Sequence, residues 1–224
     1  MKTICLSAGH NETDPGACGH GLRESDLTGD ICGMVASKLA AYEATVLHVP
    51  RYDSLAERAA YANKMGADLY LSIHVNAGGG TGFESYIWSF DHLDSTMADE
   101  YQAIIHGAIM GYLAPLGVAN RGMKARNFDE LRLTNMPAVL LENLFIDNTW
   151  DAAKLRDPAF RAGLANEIAW GCVRALDLKL KAVDPCLNCA RVNELIIERG
   201  TLFAENTRLR QIIKQAQGVL AGGL

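Results

Sequence analysis

The sequence predicts an α/β fold: a mostly parallel, twisted sheet of about six strands flanked by helices, with a C-terminal helical, coiled-coil-like extension. Three observations carry that prediction. Short apolar runs alternate with amphipathic stretches from the N-terminus to about residue 180. The pattern breaks at Asp184-Pro185, where proline pushes the preceding residue out of helical geometry. Beyond the break, leucines recur every seven residues. A chain of 224 residues can bury one sizeable core and still carry an appendage. The expected division is therefore 1–180 and 181–224.

Taken in order, Thr3–Ser7 reads as the first buried strand, and Ala44–Val49, Asp68–His74 and Ala138–Asn143 as its parallel companions. Phe83–Trp88 reads as a further strand after the Gly78-Gly79-Gly80 turn. Leu27, Ile31, Val35 and Leu39 repeat every four residues behind acidic Glu24 and Asp26, which marks a helix and its start. Leu55 to Met65, Met97 to Leu113 and Phe160 to Leu178 carry similar periodicity. No internal repeat is visible.

Composition removes several function classes. Hydrophobic residues at 49% and charged residues at 21% exclude global disorder. No window reaches the roughly 18–20 consecutive apolar residues of a membrane span. The net charge is −5 with no long basic run, so nucleic acid is not an expected partner. Met1-Lys2-Thr3-Ile4-Cys5-Leu6-Ser7 has only a short apolar stretch, which predicts cytoplasmic synthesis without a signal peptide. The cysteines at 5, 18, 32, 172, 186 and 189 then read as reduced thiols.

The tail has its own logic. Leu195, Leu202 and Leu209, followed by Ala216, alternate with Val192, Arg199, Asn206, Ile213 and Leu220 in a heptad register. Leu at one core position and a single Asn at the other predict a homodimer through residues 190–220, with Glu205 and Arg210 placed to pair between chains. The alternative is a helix docked on its own domain. Cys186-Leu187-Asn188-Cys189 is a lone C-x-x-C: two copies in a parallel dimer could form a shared four-thiolate zinc site, or they are two plain linker thiols. Residues 181–224 carry six Lys/Arg against four Asp/Glu, a slight positive balance suited to an anionic polymer.

In an open parallel sheet the ligand crevice lies at the carboxyl ends of the strands. His10 follows the first strand, Glu24 opens the first helix, and His74 and Glu142 end later strands. Two imidazoles and a carboxylate form a catalytic zinc set. A further carboxylate beside the metal would serve as proton carrier. Taken singly, each residue also has an ordinary structural reading. Glu142 is the hardest to read that way, because it closes an apolar run and an unpaired buried carboxylate is costly.

Longer motifs decide between these readings. Ser7-Ala8-Gly9-His10, Glu24-Ser25-Asp26-Leu27, Leu55-Ala56-Glu57-Arg58 with Ala62-Asn63, and Ser72-Ile73-His74-Val75-Asn76-Ala77 occur in that order. Gly82-Phe83-Glu84, Asn120-Arg121-Gly122-Met123-Lys124, Asn127-Phe128 and Met136-Pro137-Ala138-Val139-Leu140-Leu141-Glu142 follow. Together, over about residues 2–178, they resemble the zinc-dependent N-acetylmuramoyl-L-alanine amidases, the family of AmiC-type amidases and many phage endolysins. The resemblance implies that His10, Glu24 and His74 bind one Zn(2+) per chain, with Glu142 as general base and acid. It also implies hydrolysis of the amide between N-acetylmuramic acid and L-alanine of the peptidoglycan stem peptide. Asn76, Arg126 and Asn127 are the expected substrate contacts.

The sequence departs from the family in the first loop, where Asn11-Glu12-Thr13 replaces the usual glycines after the histidine. That predicts a changed loop and an added carboxylate beside the metal. Asn143-Leu144 stands where small residues are common, and His20 reads as a loop residue and not a fourth ligand. The short interval from 87 to 121 predicts no inhibitory helix over the site. A wall substrate without an export signal suggests a phage endolysin acting after holin-type release. The alternatives are a sporulation amidase acting at mother-cell lysis, a zinc peptidase or deacylase on the same scaffold, and an inactive wall-binding protein.

Overall fold

Side chains alternate across a pleated strand, and that alternation sets the layering of this molecule. The computed structural model describes residues 1–88 and 97–182. Its elements run β1 (Lys2–Ala8), β2 (Cys18–Gly19), β3 (Leu22–Arg23), α1 (Glu24–Leu39), β4 (Ala44–His48), α2 (Leu55–Met65), β5 (Leu69–Asn76) and β6 (Phe83–Ile87). They continue with α3 (Met97–Leu113), β7 (Asn120–Ala125), α4 (Asp129–Arg132), β8 (Ala138–Phe145), α5 (Thr149–Arg156) and α6 (Pro158–Ala175). Six strands form one sheet in the order β4-β1-β5-β8-β6-β7. The first four in that order are mutually parallel, while β6 and β7 run together against β8. This is the mostly parallel, helix-flanked sheet that the sequence predicts.

Ile4, Leu6 and Ala8 of β1 and Leu69, Leu71, Ile73 and Val75 of β5 enter the larger core, with apolar residues of α1, α3 and α6. Cys5 and Tyr70, of opposite parity, enter a smaller core with Ala62 of α2 and Leu131 of α4. Each fully buried Leu or Ile contributes about 1.5–3 kcal/mol, so the larger core anchors the sheet. Alternation then places Ser72 and His74 of β5 and Glu142 of β8 on the face of the smaller core. The chemistry sits on the more thinly packed side.

Helix starts follow from local sequence. The Asn148 side chain accepts from the Trp150 and Asp151 amides to open α5, and Asp157 accepts from the Ala159 amide to open α6, with Pro158 in its first turn. The α1 helix has no side-chain cap, and its first residue, Glu24, is turned to another use. Five elements are missing from the sequence reading: β2, β3, β7, α4 and α5. Asn120–Ala125 is mostly exposed and polar because it is an edge strand with a single partner. β5 and β8 also run past His74 and Glu142, to Asn76 and Phe145, so neither residue ends its strand.

Cys5, Cys18, Cys32 and Cys172 are free thiols. No described helix is long and apolar enough to cross a membrane. The heptad register over 190–220 and the Cys186/Cys189 pair lie outside the described residues.

Candidate metal centre and active site

β1 delivers His10 through a backbone that must be held. His10 has φ 61°, a left-handed conformation that is uncommon for a residue with a side chain. Two arginines secure it. Arg51 donates from Nε to the His10 carbonyl at 2.9 Å and from Nη2 to the Gly9 and Ser25 carbonyls at 3.0 and 2.8 Å. Buried Arg58 donates to the Ala8 and His10 carbonyls at 2.8 and 3.2 Å. Glycines give the close approach. A Cβ on Gly9 would lie 2.5 Å from the His74 ring, and one on Gly16 would lie 2.5 Å from the His10 ring and 2.7 Å from Glu24 Oε2.

Residues from three elements meet there. Glu24 Oε2 is 3.2 Å from His10 Nε2, and Glu24 Oε1 is 3.1 Å from His74 Nδ1. One donor atom from each of His10, Glu24 and His74 lies within 4.8 Å of the others, a set that could hold a metal ion. The Ala17 and Val75 amides donate to the two Glu24 oxygens at 3.0 Å each and fix the carboxylate. Each histidine presents its other nitrogen to a second carboxylate. His10 Nδ1 is 2.7 Å from Asp14 Oδ2, and His74 Nε2 is 3.1 Å from Glu130 Oε1.

The charges respond to that packing. Burial raises Glu24, but hydrogen bonds from His10 and His74 outweigh it and hold the carboxyl well below the ordinary range. Burial would lower His74, yet Glu130 and Glu24 push it up to about 10. Glu24 raises His10 more than burial lowers it. The carboxylates packed against both imidazoles therefore favour positive charge in this pocket.

Glu142 behaves in the opposite way. Burial pushes its carboxyl up to about 7, with Glu24, Glu84 and Glu130 reinforcing the shift and His74 opposing it. Its Oε2 is buried without a hydrogen-bond partner. Glu84, its register partner on β6, accepts from Asn76 Nδ2, the Tyr86 hydroxyl, Arg121 Nε and Lys124 Nζ. Asn143 donates to the His74 carbonyl at 3.0 Å, and Leu144 follows at φ 68°. These contacts occupy the positions where the sequence lacks small residues.

The four residues predicted for chemistry thus share one edge of the sheet. The substrate contacts are a different matter. Asn76 has its amide engaged by Glu84 and its carbonyl oxygen by the Ala77 amide. Arg126 and Asn127 are exposed between β7 and α4, and neither side chain bonds to the His10–Glu24–His74 group. The carboxylate that this loop brings to His10 is Asp14 and not Glu12. Asn11 causes this: its side-chain oxygen accepts from the Thr13 and Asp14 amides and bends the loop so that Asp14 meets His10. His20 packs toward the Asp147 carbonyl, outside the metal-binding set. Sequence reasoning misses Glu130, Asp14 and Arg51. For Glu130 the only local signal was an acidic residue next to apolar Leu131, and its strand partners are nearly sixty residues away.

An open α/β sheet that gathers two imidazoles, their carboxylate and a protonatable glutamate at one edge defines a class, hydrolases with a candidate metal site. The family model for N-acetylmuramoyl-L-alanine amidase matches residues 4–174. The chain is 43% identical over 184 residues to the sporulation-specific N-acetylmuramoyl-L-alanine amidase of Bacillus subtilis (strain 168), covering 80% of this chain and 70% of that one. It is 39% identical to the endolysin of Bacillus phage SPP1 over 81% of this chain and 68% of that one. Among solved structures, the amidase from Clostridium difficile 630 superposes with a TM-score of 0.72 at 29% identity, covering 79% of this chain and 97% of that one. The catalytic domain of CwlV from Bacillus (Paenibacillus) polymyxa var. colistinus gives 0.69 at 30% identity, covering 80% and 100%. The chain belongs to the N-acetylmuramoyl-L-alanine amidase family, and its activity is that of a peptidoglycan amidase.

Proposed function

We propose that this amidase is zinc-dependent, with the ion held by His10, Glu24 and His74 and with Glu142 moving the proton. The donor chemistry fits zinc: two imidazole nitrogens and one carboxylate oxygen are gathered closely enough to share an ion, and both histidines have carboxylates behind them. Bound there, zinc supplies Lewis acidity, bringing the pKa of a water to about 7 and polarising an amide carbonyl. Glu142 takes the proton from the attacking water and passes it to the nitrogen of L-alanine as the amide C–N bond breaks. The products are the free lactyl carboxylate of N-acetylmuramic acid and a peptide with a new amino terminus. A pKa near 7 suits transfer in both directions. The single observation that carries this reading is the unpartnered, buried Glu142 Oε2 beside the His–Glu–His set.

The test is digestion of purified cell wall by wild type and Glu142→Gln. The wild type is expected to create L-alanine amino termini without new reducing sugar ends, and the variant to create neither. New reducing ends, or cleavage between amino acids of the stem, would replace this reading with a glycosidase or a peptidase.

For the biological setting, an endolysin reading is supported by 39% identity to a phage lysis protein, and a sporulation reading by 43% identity to a sporulation-specific amidase. Lysis that requires a co-expressed membrane-pore protein favours the first; production confined to the mother cell favours the second. We also read 190–220 as a homodimerising segment that presents two catalytic domains to one polymer, on the strength of the Leu195, Leu202 and Leu209 spacing.

A further inference from the structure

We propose that Glu130 is a positioning residue for the metal centre, holding His74 from behind so that Nδ1, and not Nε2, is the nitrogen offered to the ion. The proposal rests on the zinc reading above and adds to it the residue that sets the tautomer of this histidine. Glu130 is only 2% exposed, and the proton transfer described above makes no use of it. Its Oε2 accepts from the Tyr70 hydroxyl at 2.9 Å and the Ser72 hydroxyl at 2.8 Å, while Oε1 faces His74 Nε2 at 3.1 Å. Tyr70, Ser72 and His74 are alternate residues of β5 and therefore share one face of the strand. One carboxylate from α4 braces the whole row.

The tautomer follows from which nitrogen can keep its proton. Both nitrogens of His74 face carboxylate oxygens, and an imidazole that binds a cation keeps one proton. Glu24, facing Nδ1, belongs to the metal-binding set. Glu130, facing Nε2, does not, and two hydroxyls fix it in place. The retained proton is therefore on Nε2, donated to Glu130. Asp14 holds His10 in the same manner, but its side chain is 62% exposed, so water competes with it and its hold is weaker.

The experiment measures zinc dissociation constants of wild type, Glu130→Gln, Glu130→Ala and Asp14→Asn by competition with a chromophoric chelator. Thermal unfolding of the metal-free forms runs alongside. The His74 tautomer in the zinc-loaded wild type is assigned by long-range proton–nitrogen NMR. Glu130→Ala is expected to bind zinc roughly 10–100-fold more weakly, with Glu130→Gln between it and wild type because a neutral amide oxygen still accepts from Nε2–H. Asp14→Asn is expected to lose less than Glu130→Ala. In the wild type, Nε2 carries the proton. A folded Glu130→Ala that binds zinc within about twofold of wild type overturns the proposal, as does a proton found on Nδ1. Should Glu130→Ala not fold, the wild-type tautomer still decides. A wild type that binds no zinc instead sinks the zinc reading itself, which separates the two failures.

Discussion

His74 and Glu142 are register partners on the parallel strands β5 and β8, and Glu84 partners Glu142 from the antiparallel side. One row across the sheet therefore places the Glu142 carboxyl between the His74 imidazole and the Glu84 carboxylate. Burial and the neighbouring carboxylates raise Glu142 to about 7, so it can exchange a proton near neutral pH, while Glu84 stays ionised through its own cations. Glu142→Gln keeps the shape and removes the proposed proton carrier. Turnover on cell wall is expected to fall by about 10²–10⁴-fold with zinc content unchanged, as read by metal analysis of the same preparation. A variant that keeps wild-type turnover removes Glu142 from the reaction.

Gly16 and Gly21 separate backbone strain from site packing. Both have positive φ, +65° and +74°, but a Cβ on Gly16 would strike the His10 ring while one on Gly21 meets nothing within 4 Å. Each alanine substitution is expected to cost about 1 kcal/mol in denaturant unfolding for the left-handed backbone. Gly16→Ala alone should also weaken zinc binding, because His10 must move. Equal zinc affinity in the two variants would count against the packing account of the site.

Glu84 supplies an acid-dependent part of the stability. Burial pushes its carboxyl up, but Lys124, Arg121 and the Tyr86 hydroxyl outweigh that and hold it below the ordinary 4.5. A depressed folded pKa means stabilisation that is complete above the unfolded value and lost as pH falls through the folded one. The stability difference between wild type and Glu84→Gln is therefore expected to be largest at neutral pH and to shrink below about pH 4.5. Thermal unfolding from pH 7 downwards measures it. A difference that does not vary with pH would contradict the assignment.

The tail yields a prediction by counting. Sedimentation of the full chain is expected to give a dimer, and a chain ending at residue 182 a monomer that still cleaves cell wall. Metal analysis then distinguishes two zincs per dimer, one for each chain, from the three in total that one shared Cys186/Cys189 site would give. A full-length monomer would overturn the heptad reading.

Much of this architecture is visible in the linear sequence because strand and helix periods are local properties. The runs at Thr3–Ser7 and Asp68–His74 and the repeat of Leu27, Ile31, Val35 and Leu39 report burial directly. β7 escaped because an edge strand need not be apolar, and Asn120, Arg121 and Met123 are exposed. The candidate metal-binding residues are legible through the family motifs that carry His10, Glu24 and His74. Their carboxylate supports are not, since Glu130 reaches His74 across 56 positions and Asp14 meets His10 only because Asn11 bends the loop. Arg126 and Asn127 lie on a loop, where backbone course decides what a side chain can reach.

The most direct measurement is an anomalous difference map, recorded at the zinc absorption edge, from crystals of the zinc-loaded protein. A single strong peak about 2.0–2.2 Å from His10 Nε2, His74 Nδ1 and a Glu24 oxygen is the predicted result. Density elsewhere with none among these three side chains, in crystals of protein that cleaves cell wall, would contradict it.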